Sequence, residues 1–343
     1  MFLKVVKLAS ILLLTVVVAG WPLRASAKKF AGEFMAMGGG ARALGLGGAY
    51  CAVASDASAI FWNPAGISGF ERRQALFMHS ERFGDLINYN FAAFTSPTTM
   101  FQSAEHEGAF GLALIHLGVD DIPVTNNLRI LGDNGNGVLE PELGERLDLS
   151  GGIPMEGNND FALFATYAMR TSHGRLGGTL KLIYTDAIDG FSATGVGLDI
   201  GFLRRNVGFP RLDAGVKLQD ITGTYISWSS GTNEFIAPSV KIGLAYHIIS
   251  PSLNGALLLV ADGDFYFEDR RQASQLWIDR YSLDLHFGSE LQFQEKVMVR
   301  GGYDAGNPTA GAGFRFGTLG FDYAYLHHDD FESTHRVSGL VNF

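Results

Sequence analysis

A run rich in Asp, Asn and Gly between residues 133 and 140 has the composition of a metal-binding loop. It contains Asp133, Asn134, Asn136 and Glu140, separated by glycines and two apolar residues. Asn134, Asn136 and Glu140 match the third, fifth and ninth positions of a calcium loop, but glycine and leucine stand where the first and last carboxylate ligands should be. An Asn-Gly turn that merely orders the loop explains the same residues. The sequence therefore leaves two interpretations, a turn or a calcium site at Asp133, Asn134, Asn136 and Glu140.

Two further patterns suggest chemistry but have simpler explanations. The run His327-His328-Asp329-Asp330 contains metal-ligand types, yet adjacent residues on a strand end point in opposite directions, which favours an exposed loop. The glycine-rich run 38–48 lacks a preceding hydrophobic strand and a following Lys-Ser/Thr pair, so it does not match a phosphate-binding loop. The chain contains neither a G-x-S-x-G nor an H-E-x-x-H motif. We expect no catalytic residues and no enzymatic activity.

The composition is unusual for a soluble protein. The 343 residues include 44 glycines and 26 phenylalanines, and only 18% are charged, against about 25% in typical soluble domains. Cys51 is the single cysteine, which excludes an intramolecular disulfide framework and a cysteine-rich zinc site. The formal net charge of -9 argues against nucleic-acid binding, which needs a concentrated basic surface. A lipid-facing protein becomes a strong candidate.

Residues 1–27 have the pattern of a cleaved export signal. Lys4 and Lys7 precede an apolar run, and Ala25-Ser26-Ala27 follows it, as signal peptidase requires. After Lys28 no apolar stretch reaches the length of a spanning helix. If the exported chain lies in lipid, the remaining structure that pairs every backbone polar group internally is a closed β-barrel.

Alternating polarity supports this all-β interpretation. Leu176, Leu180 and Leu182 fall on one face of their segment, whereas Thr179 and Lys181 fall on the other, as side chains alternate along a strand. The strand of a soluble β-sandwich alternates in the same way. Segment lengths of about nine to thirteen residues, aromatic residues towards segment ends and the terminal Phe343 favour a transmembrane barrel. The alternation recurs in residues 195–202, 211–219, 238–248 and 281–293.

The segments add up to a transmembrane antiparallel barrel of about fourteen strands. Long and short connections mostly alternate, as outer loops and periplasmic turns do in such barrels. The connections at 97–107 and 82–86 depart from this pattern. The predicted strands are 74–81, 87–96, 108–118, 161–170, 175–185, 195–203, 211–220, 237–248, 253–262, 280–293, 296–304, 309–316, 318–326 and 335–343.

The segment that precedes the barrel is dense in Gly and Ala between Phe34 and Phe70. Small side chains allow close backbone approach, which suits a segment folded inside the barrel lumen. We therefore divide the chain into a signal peptide at 1–27, an N-terminal hatch at 28–73 and a barrel at 74–343. The inward polar face carries both charge signs, including Lys181, Asp199 and Lys217, which favours a filled interior over an open ion channel.

This N-terminal segment resembles a known family. The run Gly40–Ala49, followed by Ala52-Val53-Ala54, Asp56, Ala59 and Asn63-Pro64-Ala65-Gly66, looks like the signature of PorV/PorQ-family outer-membrane proteins within the FadL-like superfamily. The resemblance implies a fourteen-stranded barrel with an N-terminal hatch in the lumen. It also implies one of two functions. FadL-like members passively transport hydrophobic small molecules, fatty-acid-like ones among them, whereas PorV-like members receive cargo proteins at the cell surface in type IX secretion.

The resemblance also suggests a site and partners. A substrate path would pass the hatch at Phe61, Trp62, Asn63, Pro64, Ala65 and Gly66, although Phe61 and Trp62 have the simpler alternative of packing the hatch against the wall. Phe343 resembles the signal that the barrel-assembly machinery recognises. We expect a bacterial outer-membrane location, with membrane lipid and either a hydrophobic small molecule or a secreted cargo protein as partners. Apart from the calcium alternative, we expect no cofactor.

Overall fold

The computed structural model describes residues 32–82, 86–103, 106–126, 128–137, 139–250, 255–268, 270–327 and 333–343. The predicted signal peptide at 1–27 and residues 328–330 of the His/Asp run lie outside these ranges. Across the described residues, no helix has the length and apolar character needed to span a membrane. The helices are α1 Glu33–Ala36, α2 Ala41–Gly45 and α3 Ala59–Trp62, with 3-10 helices at Pro64–Gly69, Pro141–Leu143, Ile188–Gly190 and Arg271–Ala273.

Strands dominate the rest of the described chain. They are β1 Gln74–Arg82, β2 Ile87–Ser103, β3 His106–Pro123, β4 Ile130–Leu131, β5 Arg146–Leu147, β6 Met155–Thr171, β7 Gly174–Asp186, β8 Ser192–Arg204, β9 Leu212–Gln219, β10 Thr224–Trp228, β11 Asn233–Ile236, β12 Ser239–Ser250, β13 Gly255–Tyr266, β14 Leu276–Ile278, β15 Tyr281–Phe293, β16 Val297–Asp304, β17 Asn307–Phe316, β18 Leu319–Leu326 and β19 Thr334–Asn342.

Fourteen of these strands close into an antiparallel barrel. Each wall strand pairs with its neighbours in chain order, and β19 returns to pair with β1, where Gln74 lies opposite Asn342 and Phe77 opposite Gly339. Closure leaves no free sheet edge, as a lipid-embedded sheet requires. The predicted fourteen-stranded barrel is confirmed. Its wall consists of β1, β2, β3, β6, β7, β8, β9, β12, β13, β15, β16, β17, β18 and β19.

Several predicted loops contain additional strands. The 221–236 connection forms the β10–β11 hairpin, and β10 extends the sheet by pairing with β8. Similarly, β14 pairs with the start of β15, while β4 and β5 form a separate two-stranded sheet. These elements are two to five residues long. Their periodicity is too brief to identify from sequence.

Several predicted strand boundaries are wrong, and the largest differences are at β2, β3 and β6, which are all longer than expected. The strand predicted at 87–96 continues to Ser103, past Pro97. Proline usually interrupts a central strand because it cannot donate to the ladder. However, the β1–β2 pairing ends at Thr95, so Pro97 has no ladder partner on that side. The strand predicted at 161–170 begins earlier, at Met155, because β3 extends to Pro123 and pairs with it after a bulge.

The two faces of the wall have opposite character. Outward side chains are apolar and exposed, as in Leu180 and Leu244, which are 40% and 49% exposed. The intervening side chains point inward, and Lys181 and Asp199 are each only 2% exposed. Apolar-out and polar-in alternation is the pattern of a barrel whose outer surface contacts lipid.

The two ends of the barrel differ in the length of their connections. The end at which β1 begins and β19 ends has short turns such as 172–173, 294–296 and 317–318, whereas the opposite end carries the long segments 124–154, 220–238 and 267–280. Short turns are typical of the periplasmic end and long loops of the outer end. We therefore call the end with short turns the periplasmic end and the end with long loops the outer end.

Residues 32–70, which we call the inner segment, lie within the barrel. Nearly all of residues 38–68 are buried, and their backbone approaches inward-facing glycines of the wall. The Cα of Gly311 would lie 3.2 Å from a Cβ at Gly45, and the backbone N of Gly47 would lie 2.5 Å from a Cβ at Gly302. A side chain at Gly302 would clash with the inner segment, and one at Gly45 would make an unusually tight contact with the wall.

Candidate functional site

An aromatic pair on α3 marks the centre of the inner segment. The rings of Phe61 and Trp62 meet edge to face with centroids 5.2 Å apart, and Phe61 also packs on Phe164 of β6 at 6.1 Å. The indole Nε1 of Trp62 donates to the carbonyl oxygen of Gly39 at 2.6 Å. These contacts hold both rings in place within the barrel, since edge-to-face pairs are favourable arrangements.

Asn63 fixes the chain where α3 ends. Its Nδ2 donates to the carbonyl oxygens of Cys51, at 2.9 Å, and of Phe202 on β8, at 3.1 Å. Its Oδ1 accepts from the N–H of Ala65 at 3.2 Å, which caps the 3-10 helix that Pro64 begins. Such caps satisfy backbone donors that have no partner within the helix. Asn63 thus ties the inner segment both to itself and to the wall.

The remaining predicted path residues lie beside this anchor. Pro64, Ala65 and Gly66 are all buried. Gly66 fits because its Cα faces the carbonyl oxygen of Ala54, where a side chain would clash. Residues Asn63 to Gly66 therefore make buried packing contacts, whereas Phe61 and Trp62 also line a cavity.

A cavity of about 120 Å³ lies on the outer side of the inner segment. Phe61 and Trp62 form part of its wall, together with Met35, Ile236 and Tyr266, and the outer ends of β9, β12 and β13 complete it. The sequence pointed to Phe61 and Trp62 as cavity-lining candidates. It gave no signal for Met35 or Ile236, which come close only through the folding of α1 and β11. The charged side chains on the cavity wall are Glu33, Lys217, Asp220, Lys241, Asp264, Glu268 and Arg270.

A buried charge network on the barrel wall contacts Phe61 through Lys217. Asp199 lies between two lysines, with 2.8 Å to the Nζ of Lys181 and 3.1 Å to the Nζ of Lys217. Lys181 also contacts Asp220. The Nζ of Lys217 donates to the carbonyl oxygen of Phe61 at 2.6 Å and lies 4.9 Å from the centre of its ring. Such a position over a ring is electrostatically favourable.

A second network contacts Trp62 through a lysine placed over its ring. The Nζ of Lys241 lies 5.2 Å from the centre of a Trp62 ring and 2.7 Å from Asp264. His286 continues this network, 3.5 Å from Asp264 and 2.9 Å from Asp304. Two wall lysines therefore contact the two aromatic residues of α3. Alternation predicted that these lysines point inward, but not that they contact α3.

A third network fixes α2 to β15, the strand that also carries His286. Arg42 forms a bidentate contact with Glu290, with its Nη2 at 2.8 Å and its Nε at 3.0 Å from the carboxylate oxygens. Arg300 contacts the same carboxylate at 2.6 Å and Asp322 at 2.8 Å, and Arg315 also pairs with Asp322. Bidentate Arg–carboxylate pairs are strong and directional. Together the three networks hold the inner segment against several strands of the wall.

The loop that resembles a calcium site is ordered by its own hydrogen bonds. The carboxylate of Glu140 accepts from the amides of Asn134, at 2.7 Å, and Asn136, at 2.9 Å. Asp133 accepts from the N–H of Gly135 at 2.8 Å. Glu145 accepts from the N–H groups of Asn134 and Glu140. Among the residues that the structure describes, no group of three or more His, Cys, Asp and Glu is placed to hold a metal ion. Calcium binding stays a prediction.

The last residue lies at the barrel seam. Phe343 exchanges backbone hydrogen bonds with Arg73, at 3.0 and 3.1 Å. Its ring is 59% exposed on the outer surface and lies 6.2 Å from that of Phe94. A side chain in this position is accessible at the periplasmic end, where an assembly signal would be read; that role stays a prediction.

Comparison with known proteins gives similarity in structure only. No family model matches the chain, and no curated protein matches its sequence. The CymD monoaromatic hydrocarbon channel superposes with a TM-score of 0.53 and 11% identity, covering 90% of this chain and 98% of that one. A TodX monoaromatic hydrocarbon channel mutant gives 0.50 and 12%, covering 89% and 98%. A Pseudomonas aeruginosa FadL homologue gives 0.48 and 11%, covering 87% and 97%. With its apolar exterior, the chain is an outer-membrane β-barrel that shares the fold of the CymD and TodX channels.

Proposed function

We propose that this barrel passively admits small hydrophobic molecules through the outer membrane. The observation that carries the proposal is the cavity at Phe61 and Trp62, on the outer side of the inner segment. Its volume of about 120 Å³ approaches that of a cavity of roughly 150 Å³ that holds benzene. The fold likeness to two proteins named as monoaromatic hydrocarbon channels supports the same class of substrate.

In this proposal the inner segment acts as the hatch, within the predicted limits of 28–73. The charge networks around Asp199, Asp264 and Glu290 reach it through Lys217, Lys241 and Arg42, which favours a filled interior over an open aqueous channel. A ligand in the cavity would pack on the rings of Phe61 and Trp62, which Phe164, Lys217 and Lys241 hold in place.

Membership of the PorV/PorQ family and a role in type IX secretion form the alternative. That role would require a cargo protein bound at the outer loops rather than a small molecule in the cavity. It therefore makes a different prediction, namely that cargo accumulates in the periplasm when the gene is deleted.

Uptake in a deletion strain tests the proposal directly. We expect the deletion to reduce the initial uptake rate of a radiolabelled monoaromatic hydrocarbon, and the intact gene to restore it. Unchanged uptake together with cargo retained in the periplasm would favour the secretion role and contradict ours.

A variant of the cavity wall links uptake to the site. Phe61→Ala removes a ring that lines the cavity, so we expect the affinity of the purified barrel for the hydrocarbon to fall about tenfold, or 1.4 kcal/mol. Phe314→Ala is the matched control because Phe314 is 46% exposed on the lipid-facing surface. Equal affinities of the two variants would show that the cavity is not the binding site.

A further inference from the structure

The periplasmic turn between β8 and β9 concentrates positive charge in a chain of net charge -9. Arg204, Arg205 and Arg211 are all exposed. Arg204 follows Ile200 and Phe202 on the outward face of β8, where Ile200 is 39% exposed. The guanidinium of Arg204 therefore lies where the lipid-facing surface ends. This is the depth at which phospholipid head groups lie.

Hydrogen bonds from backbone N–H groups to backbone and side-chain acceptors hold this turn in a defined shape. The N–H of Val207 donates to the carbonyl oxygen of Leu212 at 2.7 Å, and the N–H of Arg211 donates to the Oδ1 of Asn206 at 2.7 Å. Asp213 is directed inward, accepts from the N–H of Asn206 at 3.1 Å and contacts His247 at 3.1 Å. Asp213, the acidic residue closest to Arg211 in sequence, thus points to the other face of the wall from Arg204.

Aromatic side chains accompany the arginines. Phe209, at the tip of the turn, is 71% exposed, and Tyr246 on the neighbouring β12 is 43% exposed on the outward face. Aromatic residues are enriched at the boundary between acyl chains and water. An exposed phenylalanine between arginines therefore fits a surface that contacts both acyl chains and phosphate groups.

We propose that this turn binds an anionic phospholipid of the periplasmic leaflet. Arginine forms charge-assisted hydrogen bonds with phosphate oxygens, and basic residues at a membrane surface attract anionic lipids. The acyl chains would lie along Ile200, Phe202 and Tyr246, while Phe209 enters the interfacial region. A free phosphate ion would use the arginines alone and would leave the aromatic residues without a role.

The wider distribution of charge agrees with this assignment. Charges of both signs lie at each end, but exposed basic residues outnumber exposed acidic ones at the periplasmic end. Arg72, Arg73, Arg170 and Lys296 are exposed there with Glu71 and Glu295, whereas the outer end exposes Asp120, Asp121, Asp186, Asp189 and Asp279 together with Arg129 and Arg280.

Native mass spectrometry of the full barrel, with phosphatidylglycerol or phosphatidylcholine added in detergent, tests the proposal. We expect preferential retention of phosphatidylglycerol by the unmodified protein. The combined variant Arg204→Gln, Arg205→Gln and Arg211→Asn should weaken this retention about tenfold. Asparagine is chosen at Arg211 because the backbone there has a φ of 70°, which asparagine tolerates. Heat-modifiable migration on gels verifies that the variant is folded.

Matched variants complete the test. Arg129→Gln with Arg280→Gln removes exposed charges from the outer end and should leave lipid retention unchanged, whereas Phe209→Ser should reduce it. Equal retention of both lipids, or equal retention by the arginine variant, would overturn the proposal. So would displacement of phosphatidylglycerol by inorganic phosphate at the same concentration, which would identify a simple anion site.

Discussion

Replacing Asp199 by asparagine should destabilise the barrel through one of its buried lysines. In the native protein the carboxylate of Asp199 contacts Lys181 at 2.8 Å and Lys217 at 3.1 Å, and all three side chains are at most 2% exposed. After Asp199→Asn, Lys181 keeps its contact with Asp220. Lys217 then keeps two neutral hydrogen-bond acceptors, the carbonyl of Phe61 and the side chain of Gln219.

The expected loss follows from this remaining charge. Removing one partner of a buried ion pair lowers the free energy of unfolding by about 3–5 kcal/mol. With an m value of about 3 kcal/mol/M in urea, the midpoint should fall by roughly 1–2 M. The double variant Asp199→Asn/Lys217→Met removes both charges and should recover at least half of that loss, because apolar replacement of a whole buried pair is often close to neutral.

Urea unfolding of the purified barrel, followed by circular dichroism and tryptophan fluorescence, measures these values. Asp213→Asn is the control: Asp213 also points inward, but its partner His247 has a side chain that is 43% exposed, so we expect a change below about 1 kcal/mol. A loss of less than 1 kcal/mol for Asp199→Asn would refute the reasoning, as would a double variant that is as unstable as the single one.

Three further predictions concern the inner segment, its anchors and the long outer loop. Gly302→Val should displace the inner segment, because a Cβ there would meet the backbone of Gly47, whereas Gly301→Val meets nothing within 4 Å; maleimide labelling of buried Cys51, the single cysteine, should rise only in the first variant, and equal labelling would contradict us. Arg300→Met should lower the free energy of unfolding by less than about 3 kcal/mol, since Glu290 keeps Arg42 and Asp322 keeps Arg315; a larger loss than for Asp199→Asn in urea would be the opposite of what we expect. Glu145→Ala removes the acceptor for two backbone N–H groups and should accelerate hydrogen exchange at residues 133–140. The free energy of unfolding of the barrel should change by less than about 1 kcal/mol. Unchanged exchange would show that another contact orders the loop.

The barrel was predictable because its signal is local and repeated. Lys181 and Leu182 are adjacent, yet one is 2% and the other 47% exposed, as the period of two requires. A strand of twelve residues offers several such alternations. By contrast, β10 and β11 are too short for the same argument, and Pro97 fits within β2 because the pairing with β1 has already ended while that with β3 continues. Whether a ladder partner is present cannot be read from neighbouring residues.

The candidate site was predictable only in part. Phe61 and Trp62 stood out as large aromatic residues in a Gly/Ala-rich segment, and both line the cavity. Their contacts with Lys217 and Lys241 join residues about 155 to 180 positions apart in the chain. Such pairings depend on how the inner segment folds against the wall. Alternation along a single strand carries no information about that arrangement.

The contact between the inner segment and the glycines of the wall has a consequence for biogenesis. Gly45 and Gly47 touch the wall backbone directly, so a finished cylinder leaves no space through which the bulky Phe61 and Trp62 could be threaded. The segment must therefore be enclosed while the cylinder is still open. We therefore expect the seam between β1 and β19 to be the last pairing to form, after the strands have surrounded the N-terminal segment.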